Sequence, residues 1–196
     1  MAVSQAGSTD IARQQRASAG TDDPSHHPLT IFLHWSTLVL ILLSAATVFG
    51  RDLIEDKAGR WWLLELHRNS GLLIFVLLFL RLVTRLAVAP VRHELPVVMR
   101  ALAFFSHGAV YLILAGMPLL GWALSNARGT VVMLFGWLAL PRLVATDLDL
   151  ADTLADFHEW GAWVLYAVVA LHVAAALWHH HVRKDQVLRA MLPRRG

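Results

Sequence analysis

From residue 30 onwards, long apolar runs alternate with short polar breaks, on a scale much longer than the repeat of an amphipathic helix or strand. Four runs, at about 30–50, 64–86, 102–124 and 158–180, each approach the roughly 20 residues that a helix needs to cross a hydrocarbon core. They predict an all-α membrane protein, a bundle of four transmembrane helices. A fifth run, Val131 to Leu140, is too short to span and stops at Pro141, which predicts an interfacial or re-entrant segment between the third and fourth helices. Residues 1–28 hold no apolar run and carry Arg13, Arg16, Asp22 and Asp23 among Ser, Ala, Gln and Gly, so they read as a disordered tail. The expected organisation is a tail over 1–28, a four-helix domain over 29–181 and a basic tail over 182–196.

Composition narrows the chemistry. Hydrophobic residues make up 57% of the chain and charged ones only 16%, which excludes an ordinary water-soluble globule. With no cysteine there can be no disulfide, thiolate metal site or covalently attached haem, while 11 histidines remain as metal ligands. The net charge of +3 is a sum over two unlike faces. The tails and the loop between the second and third helices hold eleven basic residues against five acids; the opposite side holds six against nine. The positive-inside rule then puts both termini in the cytoplasm. Basic residues split among membrane flanks form no single stripe, so nucleic acid is not an expected partner; membrane lipid is. Seven tryptophans suit interfacial belts: Trp61, Trp62, Trp122, Trp137, Trp160 and Trp163 outside, and Trp178 inside.

Ionisable groups are costly inside a membrane and need a partner or a task. Five histidines lie in or at the ends of the spans: His34, His67, His107, His158 and His172. His158 and His172 are fourteen residues apart on one helix, which places them within about 40° of the same face and about 21 Å apart in depth. His67 is expected to open the second helix and His158 the fourth, both on the outer side, whereas His34 and His172 belong to the inner half. Depth thus pairs His67 with His158 and His34 with His172, and each pair could clamp one haem iron from opposite faces. Arg81 and Arg85, at the cytoplasmic end of the second helix, could meet haem propionates or simply snorkel; His107 could do the former or be an interfacial histidine. A metal-ion or proton pathway also uses imidazoles, but no Asp or Glu lies in the middle of any span.

These residues resemble bacterial cytochrome b561, the four-helix di-haem proteins related to the cytochrome b subunits of nickel-iron hydrogenases. The resemblance covers about 30–193. It rests on His34-Trp35, His67 with Gly71, Arg81 and Arg85, His107 and Tyr111, the stretch PLLGW from Pro118 to Trp122, Asn126 to Gly129, and His158-Glu159. The block LHVAAALWHHHVRKDQVLRAMLP is the most specific, and it is more similar to the superoxide oxidase branch than to the larger hydrogenase subunits.

The resemblance implies two non-covalent haem b groups, with His34, His67, His158 and His172 as axial ligands. It further implies oxidation of superoxide at the periplasmic face, with electrons passing to ubiquinone near the cytoplasmic side, where His179 would border the quinone. Arg51, Lys57, Arg60, Arg68 and Arg128 are the basic residues available around the outer site. A second reading keeps the haems but makes the chain a membrane anchor between the quinone pool and a periplasmic dehydrogenase or hydrogenase partner. A third is a histidine-lined transporter or structural bundle without redox chemistry.

Overall fold

The computed structural model describes residues 27–87 and 97–192. Each apolar run is a helix: α1 (Pro28–Arg51), α2 (Lys57–Ala87), α3 (Val97–Ala127) and α4 (Leu148–Trp178). All four are long and apolar enough to cross a membrane. A π-type turn, His179–Arg183, prolongs α4, and a short 3-10 turn, Arg189–Met191, follows it. Apart from His27 and Pro28, the tail expected over 1–28 lies outside the described residues.

The helices outrun the apolar runs. α2, α3 and α4 have 31 residues each, or about 46 Å of helix against a hydrocarbon core of about 30 Å. The added turns at the starts of α2 and α4 are polar and begin at capping groups. Asp56 accepts the Gly59 N–H at the start of α2, and Asp147 accepts the Leu150 N–H at the start of α4. α1 starts on Pro28, whose fixed φ suits a first helical position, with His27 as its cap.

Outward faces are apolar: Phe32, Phe79, Phe104, Phe105, Leu112 and Leu171 each expose well over half their surface. Such faces are compatible with lipid and would be an aggregation hazard in water. Trp61, Trp62, Trp137, Trp160, Trp163 and Trp178 also point outward. Trp122 differs from its expected belt position, for it is half-buried and its indole Nε1 is enclosed without a hydrogen-bond partner.

All four helices contribute to an apolar layer of Ile41, Ile74, Leu78, Leu114 and Leu165. Leu165 is seven residues from both His158 and His172, so this layer separates two histidine levels.

Residues 131–140 form a hairpin rather than a helix. β1 (Met133–Leu134) pairs antiparallel with β2 (Leu138–Ala139), and the turn between them holds Phe135 and Gly136 at positive φ. Glycine adopts that conformation freely; phenylalanine does not. Asn69 on α2 accepts the Phe135 N–H at 2.6 Å and so helps to hold the turn. Asn126, fully buried at the end of α3, donates to the Thr130 carbonyl and accepts the Leu143 N–H, fastening both approaches to the hairpin.

Candidate functional site

The histidines occupy two levels. His67 and His158 each lie ten residues into their helices, about 15 Å from the helix start. They do not open those helices, because the capped polar turns precede the apolar runs. At the opposite end, His34 is six residues after the start of α1 and His172 six before the end of α4, about 9 Å in. The structure brings His67 against His158, with ring centroids 6.0 Å apart, and His34 against His172, at 6.3 Å.

At the first level, His67 Nδ1 lies 3.1 Å from the Ser44 carbonyl and 2.9 Å from the Ser44 hydroxyl. A carbonyl only accepts, so Nδ1 carries the proton and Nε2 keeps its lone pair for a ligand. His158 Nδ1 is buried without a hydrogen-bond partner. A Cβ placed on Gly121 would stand 3.1 Å from His158 Cε1, so α3 needs a glycine where this imidazole passes. Arg51 and Arg68 are within electrostatic reach of His67. Arg68 is paired with Glu65, whereas the Arg51 Nε is buried and unpartnered.

At the second level, an Arg81 guanidinium nitrogen stands 3.3 Å from His34 Nδ1, and His34 also packs edge-on against Trp35. Arg81 and Arg85 lie over the Tyr111 ring, at 5.6 and 6.0 Å from its centroid. His107, outside the pairs that depth suggests, is 5.7 Å from His172, and its Nδ1 lies 2.6 Å from the Ala103 carbonyl. The second level therefore gathers three histidines and an arginine. Nevertheless, no group of three or more His, Cys, Asp or Glu placed to hold a bare metal ion occurs among the described residues.

His179 belongs to neither level. It opens the π-type turn, and its Nδ1 meets Asp185 Oδ2 at 2.6 Å, with the Arg183 Nε 3.6 Å from the same oxygen. Partial burial opposes ionisation of Asp185, but the His179 hydrogen bond, aided by the Val187 N–H and by Arg183, holds its carboxyl below the ordinary value. Sequence reasoning passed over Asp185; its only signal was an acid six residues beyond His179 in an otherwise basic segment.

A family model described as prokaryotic cytochrome b561 matches residues 25–194. The chain belongs to that family. It is similar to a probable superoxide oxidase of Yersinia pestis, 31% identical over 169 residues that make up 85% of this chain and 95% of the relative. It is also similar to cytochrome b561 homolog 1 of Escherichia coli strain K12, 30% identical over 168 residues, or 84% and 95% of the two chains. Cytochrome b561 homolog 2 of the same strain is 33% identical over 131 residues, 65% of this chain and 69% of that one. Membership makes this a membrane electron-transfer protein and implies haem b as its cofactor.

The residues fit that cofactor. With about 2 Å from metal to imidazole nitrogen and about 1.1 Å from nitrogen to ring centre, two imidazoles on opposite faces of one metal have centroids about 6 Å apart. Both observed pairs have that spacing. Gly71 and Gly116 are half-buried, yet an added Cβ on either would meet nothing within 4 Å, leaving room beside the bundle's helices.

Proposed function

We propose that this cytochrome b561 carries two haem b groups, oxidises superoxide to O2 at the periplasmic end and delivers the electrons to ubiquinone at the cytoplasmic end. His67 with His158 would hold the outer haem, and His34 with His172 the inner one. Each haem, held between two imidazoles, would supply a one-electron carrier. The observation that carries the reading is the presence of two histidine pairs at bis-imidazole spacing, one toward each end of the bundle.

The protein's part is to hold, orient and charge these sites. Ser44 fixes the His67 tautomer, and the apolar layer around Leu114 and Leu165 excludes water between the levels. The unpartnered Arg51 Nε and the nearby Arg68 offer positive potential where a superoxide anion would arrive. Arg81 and Arg85, which lie over Tyr111, would meet negative groups at the inner level, and His179, which opens the turn after α4, would border the quinone. Similarity to the Yersinia relative, a probable superoxide oxidase, supports superoxide as the donor. Both termini are assigned to the cytoplasm on charge, with residues 29–181 as the functional body and the flanking 1–28 and 182–196 as tails.

The test is to purify the protein in lipid nanodiscs, generate superoxide beside it and follow haem absorption, then add decylubiquinone. The expected result is two low-spin haem b groups per chain, rapid reduction by superoxide and reoxidation by the quinone. Reduction should slow severalfold in Arg51→Gln, as one cation's worth of steering is removed. Haems that superoxide leaves oxidised, in protein that quinol still reduces, would rule out superoxide and favour the anchor reading.

A further inference from the structure

Reduction of a quinone needs protons as well as electrons, and the histidine nearest the proposed quinone position has a carboxylate behind it. The geometry points to Asp185 as the positioning residue that makes His179 a proton donor to ubiquinone, with the adjoining basic cavity as the water-facing side from which the proton is replaced. This rests on the quinone reading above and deepens it.

The local backbone is shaped to bring the two groups together. After the π-type turn, Lys184 adopts a left-handed conformation, with φ 55° and ψ 31°, and the chain reverses. The Asp185 N–H then closes on the His179 carbonyl at 3.3 Å, while Asp185 Oδ1 accepts the Val187 N–H and Oδ2 faces His179 Nδ1. The segment is anchored to α1, for the Trp35 indole donates to the Met191 carbonyl at 2.8 Å and Ala190 is buried. Trp35 adjoins His34 in sequence, so the dyad is fastened beside the inner histidine level.

The consequence is chemical. A carboxylate only accepts, so Nδ1 of His179 carries the hydrogen of this contact, and Nε2 is the nitrogen left for a substrate. Holding that hydrogen fixes the orientation of the ring and leaves Nε2 as the atom through which a proton is passed. Asp185 also lines a cavity of about 260 Å3 shared with His180, His181, Lys184 and Arg189. Together with Arg183, these are the ionisable groups that the structure places around the dyad, and none of them is a second acid.

The balance is simple. Two superoxide anions become two O2 and release two electrons; one ubiquinone takes both, with two protons, to become ubiquinol. For each proton the His179 Nε2–H bond breaks as a quinone O–H bond forms, and water in the cavity returns the proton to the imidazole.

Asp185→Asn tests this, because the amide oxygen can still accept from Nδ1 while the charge is gone. Full-length protein in nanodiscs is assayed with decylubiquinol as haem reductant, which needs no superoxide, and then with superoxide and decylubiquinone. Haem content, haem spectra and superoxide-driven haem reduction should match the parent, while quinone turnover at pH 7.5 falls at least about tenfold. Asp185→Glu, which keeps the carboxylate, should restore much of the rate. His179→Ala combined with Asp185→Asn should be no slower than His179→Ala alone. A parent-like quinone rate in Asp185→Asn would overturn the role, as would loss of haem from both Asp185 variants, which would make the contact structural. Should the haem-loaded parent react with neither decylubiquinone nor decylubiquinol, the quinone reading itself falls and takes this role with it.

Discussion

The two ends of the bundle carry the same pair of side chains in different surroundings. At the His67–His158 end, one imidazole is pinned by the Ser44 carbonyl, the other slides past Gly121, and a hairpin is fastened nearby through Asn69 and Asn126. Its nearest ion pair, Arg68 with Glu65, is internally neutralised. At the His34–His172 end, the contacts are cationic: Arg81 on His34, Arg81 and Arg85 over Tyr111, and His107 beside His172. One end sets its histidines against a backbone carbonyl and a glycine; the other surrounds its pair with charge and leads on to the His179–Asp185 dyad. A cation beside an axial imidazole favours the reduced form of a metal bound there, and a carbonyl accepting from the other ring's Nδ1 favours the oxidised form. With haems held as proposed, that difference would favour electron flow from the His67–His158 end to the His34–His172 end.

The strongest way to break this contrast is at Gly121. Even a Cβ there stands 3.1 Å from His158, so Gly121→Leu is expected to displace the imidazole and cost one of the two haems, measured as haem b per chain. The inner haem should survive, and retention of both would contradict the close approach. Next comes Asn126→Ala, which strips two hydrogen bonds from a fully buried amide. It should destabilise the protein by about 1–3 kcal/mol, read as a lower Tm, and leave the potential at the far end unchanged.

Arg81→Gln tests the charged end. Loss of the cation should lower the potential of the inner haem by roughly 30–100 mV in a potentiometric titration, with the outer one little affected. The smallest effect concerns Asp185, whose carboxyl is held below its ordinary value. Such a group stabilises the fold above its unfolded-state pKa, and that contribution is lost as pH falls through the depressed folded value. Infrared difference spectra between parent and Asp185→Asn should show the carboxyl protonating at lower pH than an unperturbed aspartate; protonation at or above the ordinary aspartate value would contradict the contact.

Much of the architecture was legible because the bilayer imposes it. Four runs of spanning length gave four helices, and histidine depth alone put His67 near His158 and His34 near His172. The helix starts were less legible, since hydropathy marks where lipid begins and says nothing of capped turns such as those begun by Asp56 and Asp147. The 131–140 hairpin was missed because its strands are only two residues long and depend on side chains from α2 and α3. Residue-level partners were hidden for a related reason. Ser44 reaches His67 across a helix interface, His107 approaches His172 from α3, and Asp185 returns to His179 only because Lys184 reverses the chain.

The central claim is that four histidines act as two pairs at separate levels, and haem content in the four single variants tests it most directly. The unmodified chain should bind two six-coordinate, low-spin haem b groups of different potential. His67→Ala and His158→Ala should each abolish the same lower-potential haem, and His34→Ala and His172→Ala the same higher-potential one. Loss of different haems in His67→Ala and His158→Ala, or a parent that binds no haem, would contradict the account.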